Sequence, residues 1–471
     1  MQWILKLERI DETGVLQSRT IGHIERPELA SEADLGLTHE GGKYLIRQIQ
    51  AEVTCDQVQA FIAKARICSS CDRARPIKDH RRRKIDTIFG HLRLHAPRYE
   101  DCRCGASNAA SPVGALFPHR STPELRYLQA KLGSVYSYRQ AATILNEFLP
   151  DIGSFNPATT RNRVMAVGKV IEEEIQAEIA TRPLAEKPVE QMTVGIDGAF
   201  VRAASSKNQR RHFEIVLGKI EPLEQSSKVF AAVRDLDAHA RERVRSALRT
   251  AGRGPTTRLT VLSDGEDAMR LMAGQWLNGQ VEHRLDWFHL RRRMEWLGRS
   301  LSWTIDYADP DSQTLQATYQ RSLHSVRRNL WHHGRSRHGR WLIALSHLGA
   351  QILSHHNATH DAGGDPARIR EAYKRFQDLE RYTRGNIRSL MDYGRAWHHG
   401  EPISTAHIES TVNQIINHRM CKKRQMRWSR WGAQMMLHVR TAYLNGNLER
   451  VCGLSRPNAM ILTNAAMLKA I

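Results

Sequence analysis

Nowhere in these 471 residues is there an unbroken apolar run of the ~18 residues that a membrane-crossing helix needs, so neither a membrane span nor a membrane partner is expected. The first residues, Met1–Glu8, alternate apolar and polar like a strand and lack the apolar core of a signal peptide. Acidic residues are scarce: 49 Asp and Glu face 70 Lys and Arg, a net charge of +21. That excess is spread along the chain, which points to a polyanionic partner, with nucleic acid the leading candidate. Cysteine is also scarce, and four of the seven fall into two tight pairs. So few thiols in that arrangement suit a metal site in a reducing cytosol better than a disulfide framework. The expected location is cytoplasmic, in association with the nucleoid.

Residues 1–67 offer two strands, Gln2–Arg9 and Val15–Glu25, then a helix over Thr38–Ile67. The cysteine pairs, Cys68/Cys71 and Cys102/Cys104, flank two β-rich runs, Lys84–Phe89 and His91–His95, joined at Gly90. Pairs of thiolates on either side of a hairpin are the layout of a zinc ribbon (residues 68–105), with Zn²⁺ supplying folding energy that a small core lacks. Buried free thiols are the plainer alternative. Arg81, Arg82 and Arg83 lie on this ribbon and suit phosphate contacts, although a solvated charge run looks the same. Residues 121–180 read as three helices, Pro123–Ser134, Tyr138–Phe148 and Ala158–Ala180, with a break at Leu149–Gly153. Arg161 and Arg163, early in the third, fit a helix-turn-helix reader of double-stranded DNA; a helical bundle of another kind shows the same pattern. Thr181–Glu190 reads as a linker.

From there the pattern becomes α/β. A strand around Val194–Val201 carries Asp197, and strands follow over Arg211–Ile220 and Ser227–Asp235. A helix over Ala238–Ala251 leads to the strand Arg258–Ser263, which ends on Asp264-Gly265. A helix over 266–277 and the strand Val281–Leu285, ending on Asp286, complete the run. Three strands, then helix, strand, helix, strand, helix is the order of a ribonuclease H-like core, its first part spanning 190–293. About a hundred mostly helical residues come next (294–400), interrupted at 308–310 and 362–366, and read as an insertion. Trp331 lies in this block beside His332 and His333, where it can stack a base or pack a core. The last part, 401–471, opens a helix at Ser404 or Thr405, with Ile408, Val412, Ile415 and Ile416 as its buried stripe. Glu409 and Asn413 share a neighbouring face one turn apart. Asp197, Asp264 and Glu409 thus form a candidate set of three acids able to hold Mg²⁺ or Mn²⁺ for phosphodiester chemistry. Asp267, close behind Asp264, is its rival. Asp286 is equally a helix cap, and His289 equally a packed histidine. Arg291 and the run Lys422-Lys423-Arg424 are further candidates for DNA contact.

The motifs Gly195-Ile196-Asp197-Gly198, Val261-Leu262-Ser263-Asp264-Gly265 and Asp286-Trp287-Phe288-His289 resemble those of DDE transposases of bacterial insertion sequences, most closely the ISKra-type family. His407–Asn413, Arg419, Met426-Arg427-Trp428-Ser429, the cysteine pairs and Leu35-Gly36-Leu37-Thr38 strengthen the resemblance, which covers most of the chain. It implies an RNase H-like fold with Asp197, Asp264 and Glu409 as the catalytic, metal-binding triad. Asp286 and His289 then match the D-x-x-H pair shared with Mutator-like elements, and Asn413 supports the site. The implied activity is binding of terminal inverted repeats, then metal-dependent cleavage and transfer to target DNA by a homodimer or larger assembly. Two alternatives remain: an RNase H-like nuclease without strand transfer, and a domesticated zinc-ribbon and helix-turn-helix regulator.

Overall fold

The segment Met192–Ile196 is buried at every residue, as a strand covered on both faces must be, and it forms the middle of a five-stranded sheet. The computed structural model that shows this describes residues 1–10, 14, 16–106, 109–149, 155–204, 211–265, 277, 281–305, 310–334, 336, 339–361, 367–404, 410–411, 413–421 and 426–454. Glu409, Asp267, Lys422, Lys423 and Arg424 lie outside those residues. So do Thr405, Ile408 and Val412, nearly all of the predicted helix over 266–277, and most of each predicted break at 149–153, 308–310 and 362–366. Two units emerge, Met1–Val170 with Gly446–Ile471, and Ile171–Asn445.

In the first unit β1 (Gln2–Ile10) and β2 (Leu16–Glu25) form an antiparallel hairpin. Beside it runs α1 (His39–Arg66), whose cap residue Thr38 accepts a hydrogen bond from the Gly41 amide at 3.0 Å. Arg19 of β2 pairs with Glu52 and Asp56 of α1 at 2.9 and 3.3 Å. The hairpin between the cysteine pairs is longer than its β-rich runs suggested: β3 (Ile77–Thr87) pairs antiparallel with β4 (Gly90–Tyr99). Its inner residues Ile85, Leu92, Leu94 and Ala96 share a core with Val58 of α1. Next come α2 (Pro123–Val135), α3 (Tyr138–Phe148) and α4 (Pro157–Thr181), with Leu125, Ala142, Leu145 and Phe155 packed together. Ser137 and Gln140 cap α3 reciprocally.

The second unit holds β5 (Gln191–Arg202), β6 (His212–Pro222), β7 (Lys228–Val233), α5 (Ala240–Thr250), β8 (Arg258–Ser263) and β9 (Val281–Leu285). The sheet order is β7-β6-β5-β8-β9. β5, β6 and β7 pair antiparallel, whereas β8 runs parallel to β5 and β9 parallel to β8. Val244 and Leu248 of α5 pack onto Met192, Val194, Val216, Ile220 and Val261 of the sheet. The following helices, α6 (Trp287–Ser302), α7 (Pro310–His333), α8 (Arg340–Asp361) and α9 (Ala367–Gly385), share one core that includes Leu290, Leu297, Leu330, Trp341 and Phe376. Residues 413–417 are wound as a π-helix rather than the expected α-helix, with Ile415 and Ile416 buried as the apolar stripe required. Finally α10 (Arg430–Leu444) lies along the free edge of β7. Gln434 Oε1 accepts from the Val233 amide at 2.8 Å, and Asn445 bonds both the amide and the carbonyl of Val229 at 2.8 and 2.9 Å.

Within the second unit, to which α4 belongs from Ile171 onward, a buried polar cluster joins α4 to α5 and α10. Glu172 accepts from Arg243 Nε at 3.1 Å and Nη2 at 2.5 Å, lies 2.6 Å from His438 Nε2, and accepts from Gln176 at 2.8 Å. Burial opposes ionisation of Glu172, but His438 and Arg243 outweigh it and hold the carboxyl down to about 2. A free Glu titrates near ~4.3, so this stabilisation is complete above that pH and drains away as pH falls toward 2. Glu172→Ala should cost about 3–5 kcal/mol at neutral pH, the usual effect of stranding a buried partner. Urea unfolding midpoints should fall between pH 5 and pH 3 in the natural chain and fall less in Glu172→Gln. Equal slopes in the two proteins would remove this cluster from the acid response.

Candidate functional site

Gly195 and Leu262 are the last paired residues of the parallel strands β5 and β8, and Asp197 and Asp264 each come two residues later. Ser263 and Leu285 end the pairing of β8 with β9, and Asp264 and Asp286 each come one residue later. Matching positions on parallel strands share a face. Asp197 and Asp264 therefore lie equally far past the last residues that β5 and β8 pair with each other, and Asp286 directly follows β9.

The three are not equivalent. Asp197 is half-buried within β5, opposite Leu217 of β6, and its Oδ1 accepts from the Gly198 amide at 2.7 Å. Asp264 is half-buried just past β8. Its carbonyl accepts from the Tyr382 hydroxyl, and the Arg293 guanidinium lies 4.1 Å from the Tyr382 ring centre. Burial pushes the Tyr382 hydroxyl far above its usual range, and the charges of Asp264 and Asp286 add to the rise, so at neutral pH it is a donor. Gly265 follows with φ +72°, and a Cβ there would stand 2.2 Å from Leu285 Cδ1. Only glycine allows this turn, which fixes the direction in which Asp264 leaves the sheet. Asp286 is fully buried and caps α6, accepting from the Phe288 amide at 2.7 Å. His289 Nε2 stands 3.6 Å from Asp286 Oδ2. The D-x-x-H pair thus makes a helix cap and its neighbour. Tyr382 and Arg293 carried no signal of their own in the sequence, because their spacing from Asp264 reflects only the packing of α6 and α9.

Among the described residues, one group of three or more metal-binding side chains brings its ligand atoms within reach of a single ion: Cys68, Cys71, Cys102 and Cys104, all within 4.8 Å of one another. The sulfurs of Cys68 and Cys104 are 3.6 Å apart and those of Cys71 and Cys102 3.4 Å. Tetrahedral Zn²⁺ with Zn–S bonds of about 2.3 Å sets its sulfurs about 3.8 Å apart, so the set can hold a structural zinc ion. The backbone supports this. The Ser70 and Cys71 amides point at the Cys68 sulfur and, with the Cys104 and Cys102 thiols, lower that thiol against the effect of burial, while the hydrogen bonds among the four thiols raise Cys71 and Cys104. Asp72 and Gly105, directly behind each pair, adopt φ of +55° and +75°, which turns the chain around the sulfurs.

The basic candidates divide. Arg81 and Arg82 on β3 and Arg161 on α4 are exposed, as is Arg291 on α6, which pairs with Glu295 at 2.7 Å. Arg83 is spent internally: it shares the strand face of buried Ile85 and donates to the carbonyls of Phe117 and Pro118. Arg163, two residues past Arg161, is rotated to the other side of α4, where it donates to Gln129 at 2.7 Å and pairs with Asp86. These two arginines hold the first unit together rather than face a phosphate. In the second unit a groove of about 680 Å³ is lined by Trp287, Trp331 and Trp397 together with Arg291, Arg327 and Arg328. Trp331 meets Trp287 edge-on at 4.9 Å, and Trp397 is 64% exposed, so the groove offers aromatic faces beside positive charge.

No family model matches the chain, and a search of curated proteins finds no match. Among the described residues, no helix is long and apolar enough to cross a membrane.

Proposed function

We propose that this chain is a DDE-type transposase that binds the ends of its own element, cleaves DNA and joins the 3′ ends to a target. The observation that carries the reading is that Asp197 and Asp264 each stand two residues past the last pair that β5 and β8 make with each other. The order β7-β6-β5-β8-β9, with two antiparallel and two parallel pairings, supports an RNase H-like core. Oxygen donors on neighbouring strands suit a hard cation that keeps part of its water shell. Asp197 and Asp264 would hold Mg²⁺ or Mn²⁺, with Glu409 as the third carboxylate; when bound, the metal polarises the scissile phosphate and lowers the pKa of the attacking hydroxyl. The protein's part is placement. Tyr382 and Gly265 fix the backbone at Asp264, and buried Asp286 anchors α6, which carries Arg293 against the Tyr382 ring. Exposed Arg81, Arg82 and Arg161 supply phosphate contacts for DNA bound by the first unit, which would assemble as a dimer or larger complex. The tryptophan groove suits unpaired bases.

Binding to a labelled duplex carrying the element's terminal repeats tests this reading, because displacement of counterions by a +21 chain makes affinity depend on salt. With six or more phosphate contacts, affinity should fall by about a thousandfold between 50 and 200 mM salt. Arg82→Gln should weaken repeat and unrelated duplexes alike, whereas Arg161→Gln should weaken repeats more. Affinity that hardly changes with salt would sink the DNA reading.

A further inference from the structure

At the opposite end of β8 from Asp264, about 20 Å away at ~3.3 Å per strand residue, the second unit carries a cavity of about 320 Å³. Its lining includes four arginines, Arg182, Arg245, Arg249 and Arg253, against one carboxylate, Glu242. The chain brings the cations together by two devices. Arg245, Arg249 and Arg253 are spaced by four residues, so the first two share a face of α5. The helix then ends in a Schellman turn, in which the Arg253 amide donates to the Leu248 carbonyl and the Gly252 amide to the Arg249 carbonyl, both at 2.9 Å. That turn folds Arg253 back beside its neighbours. From the other wall comes Arg182, held at φ +46°, a backbone state costly for a residue of this kind.

Two acids lie against the cluster. Glu242 pairs with Arg245 at 2.7 Å, and Glu178 lies 3.4 Å from Arg249 Nε while also taking hydrogen bonds from Ser246 and Thr250. Arg249 Nε and Nη2 are buried and make no hydrogen bond. Burial lowers the Arg253 pKa, and the charges of Arg245 and Arg249 lower it further. The negative end of the α5 dipole offsets some of this crowding, but its effect is limited to the last turn. A second cavity of about 440 Å³ shares Arg249, Pro183 and Leu184, leaving room for a group larger than a water molecule.

We propose that Arg182, Arg245, Arg249 and Arg253 form a phosphate-binding site remote from the strand-end acids. Guanidinium groups bind phosphate by paired N–H donors, and Arg249 Nη2, buried without a hydrogen bond, provides such a donor in a partly desolvated place. The phosphate belongs either to a DNA backbone, which rests on the transposase reading, or to a small phosphate-bearing molecule, which does not.

The test compares the natural chain with Arg249→Gln, using Arg381→Gln as a control of equal charge change at an exposed residue of α9. Inorganic phosphate at about tenfold its dissociation constant should raise the melting temperature by about 3 °C over sodium chloride of equal ionic strength. Arg249→Gln should lose that response, and Arg381→Gln should keep it. Arg249→Lys, which keeps a positive charge beside Glu178 but not the fork of donors, should also lose most of the response while melting close to the natural chain in chloride; this separates a lost site from a damaged fold. If Arg249→Gln also weakens duplex binding and lowers the salt slope by about one, the site takes a DNA phosphate. Loss of the phosphate response with unchanged duplex binding assigns it to a small phosphate-bearing molecule. An unchanged phosphate response in Arg249→Gln, or none in the natural chain, overturns the site. Neither outcome depends on whether the chain cuts DNA, so failure of the transposase reading would show separately.

Discussion

Asp264→Asn and Asp197→Asn should each leave duplex binding intact and reduce Mg²⁺-dependent nicking of end DNA by about a thousandfold or more, the scale on which one electrostatic partner of a transition state acts. Asparagine keeps the size of aspartate, and the pairing of Gly195 with Leu262 does not involve either carboxylate, so the sheet should hold. Binding should tighten slightly as one repulsion with phosphate disappears. Glu409→Gln should behave in the same way, and Asp267→Asn should nick normally. Asp286→Ala is the informative contrast, because it removes the cap oxygen that asparagine would keep. That carboxylate is fully buried and caps α6, so its loss should show first as instability, about 1 kcal/mol for the cap, rather than as a selective defect in cleavage. Nicking at near the natural rate by Asp197→Asn or Asp264→Asn would falsify the active site as drawn.

Removal of the metal from the cysteine cluster should have the other large effect. Metal analysis of purified protein should find one zinc ion per chain, and Cys71→Ser should bring that close to zero. Structural zinc contributes on the order of 10 kcal/mol to the folding of small metal-bound elements. The core of Ile85, Leu92, Leu94 and Ala96 is small beside that, so β3 and β4 should become open to proteolysis when the ion is removed. DNA binding should fall with them, because Arg81 and Arg82 are carried on β3. Full zinc content in Cys71→Ser would sink the assignment of these four ligands.

Much of the second unit's sheet could be read from the chain itself. Apolar runs ending on Asp-Gly or Asp-Trp bracket β8 and β9 at the expected residues, and β6 and β7 differ from expectation by a residue or two at each end. Each depends on local alternation and local turns. Residues whose role is not local depend on distant partners. Arg83 and Arg163 look like solvated charge, yet carbonyls 34 residues on and an aspartate 77 residues back claim them. Glu172, in a run of three glutamates, is buried because His438 arrives from 266 residues away. The matched places of Asp197 and Asp264 are a property of register, and register between parallel strands is set by the whole sheet. Residues 446–454 group with the first unit although they follow α10 directly.

The side-chain amides along β7 set a problem of timing for synthesis. Val233 and the Gln434 that satisfies its amide are separated by 201 residues. At about 5–20 residues per second, a ribosome needs about 10–40 s to cover that distance. Throughout that interval β7 presents bare amides and carbonyls to whatever strand is nearby, including the same strand of a neighbouring nascent chain. Production of this protein should therefore depend on holding chaperones and on slow initiation, and chains cut short before residue 430 should collect in insoluble material.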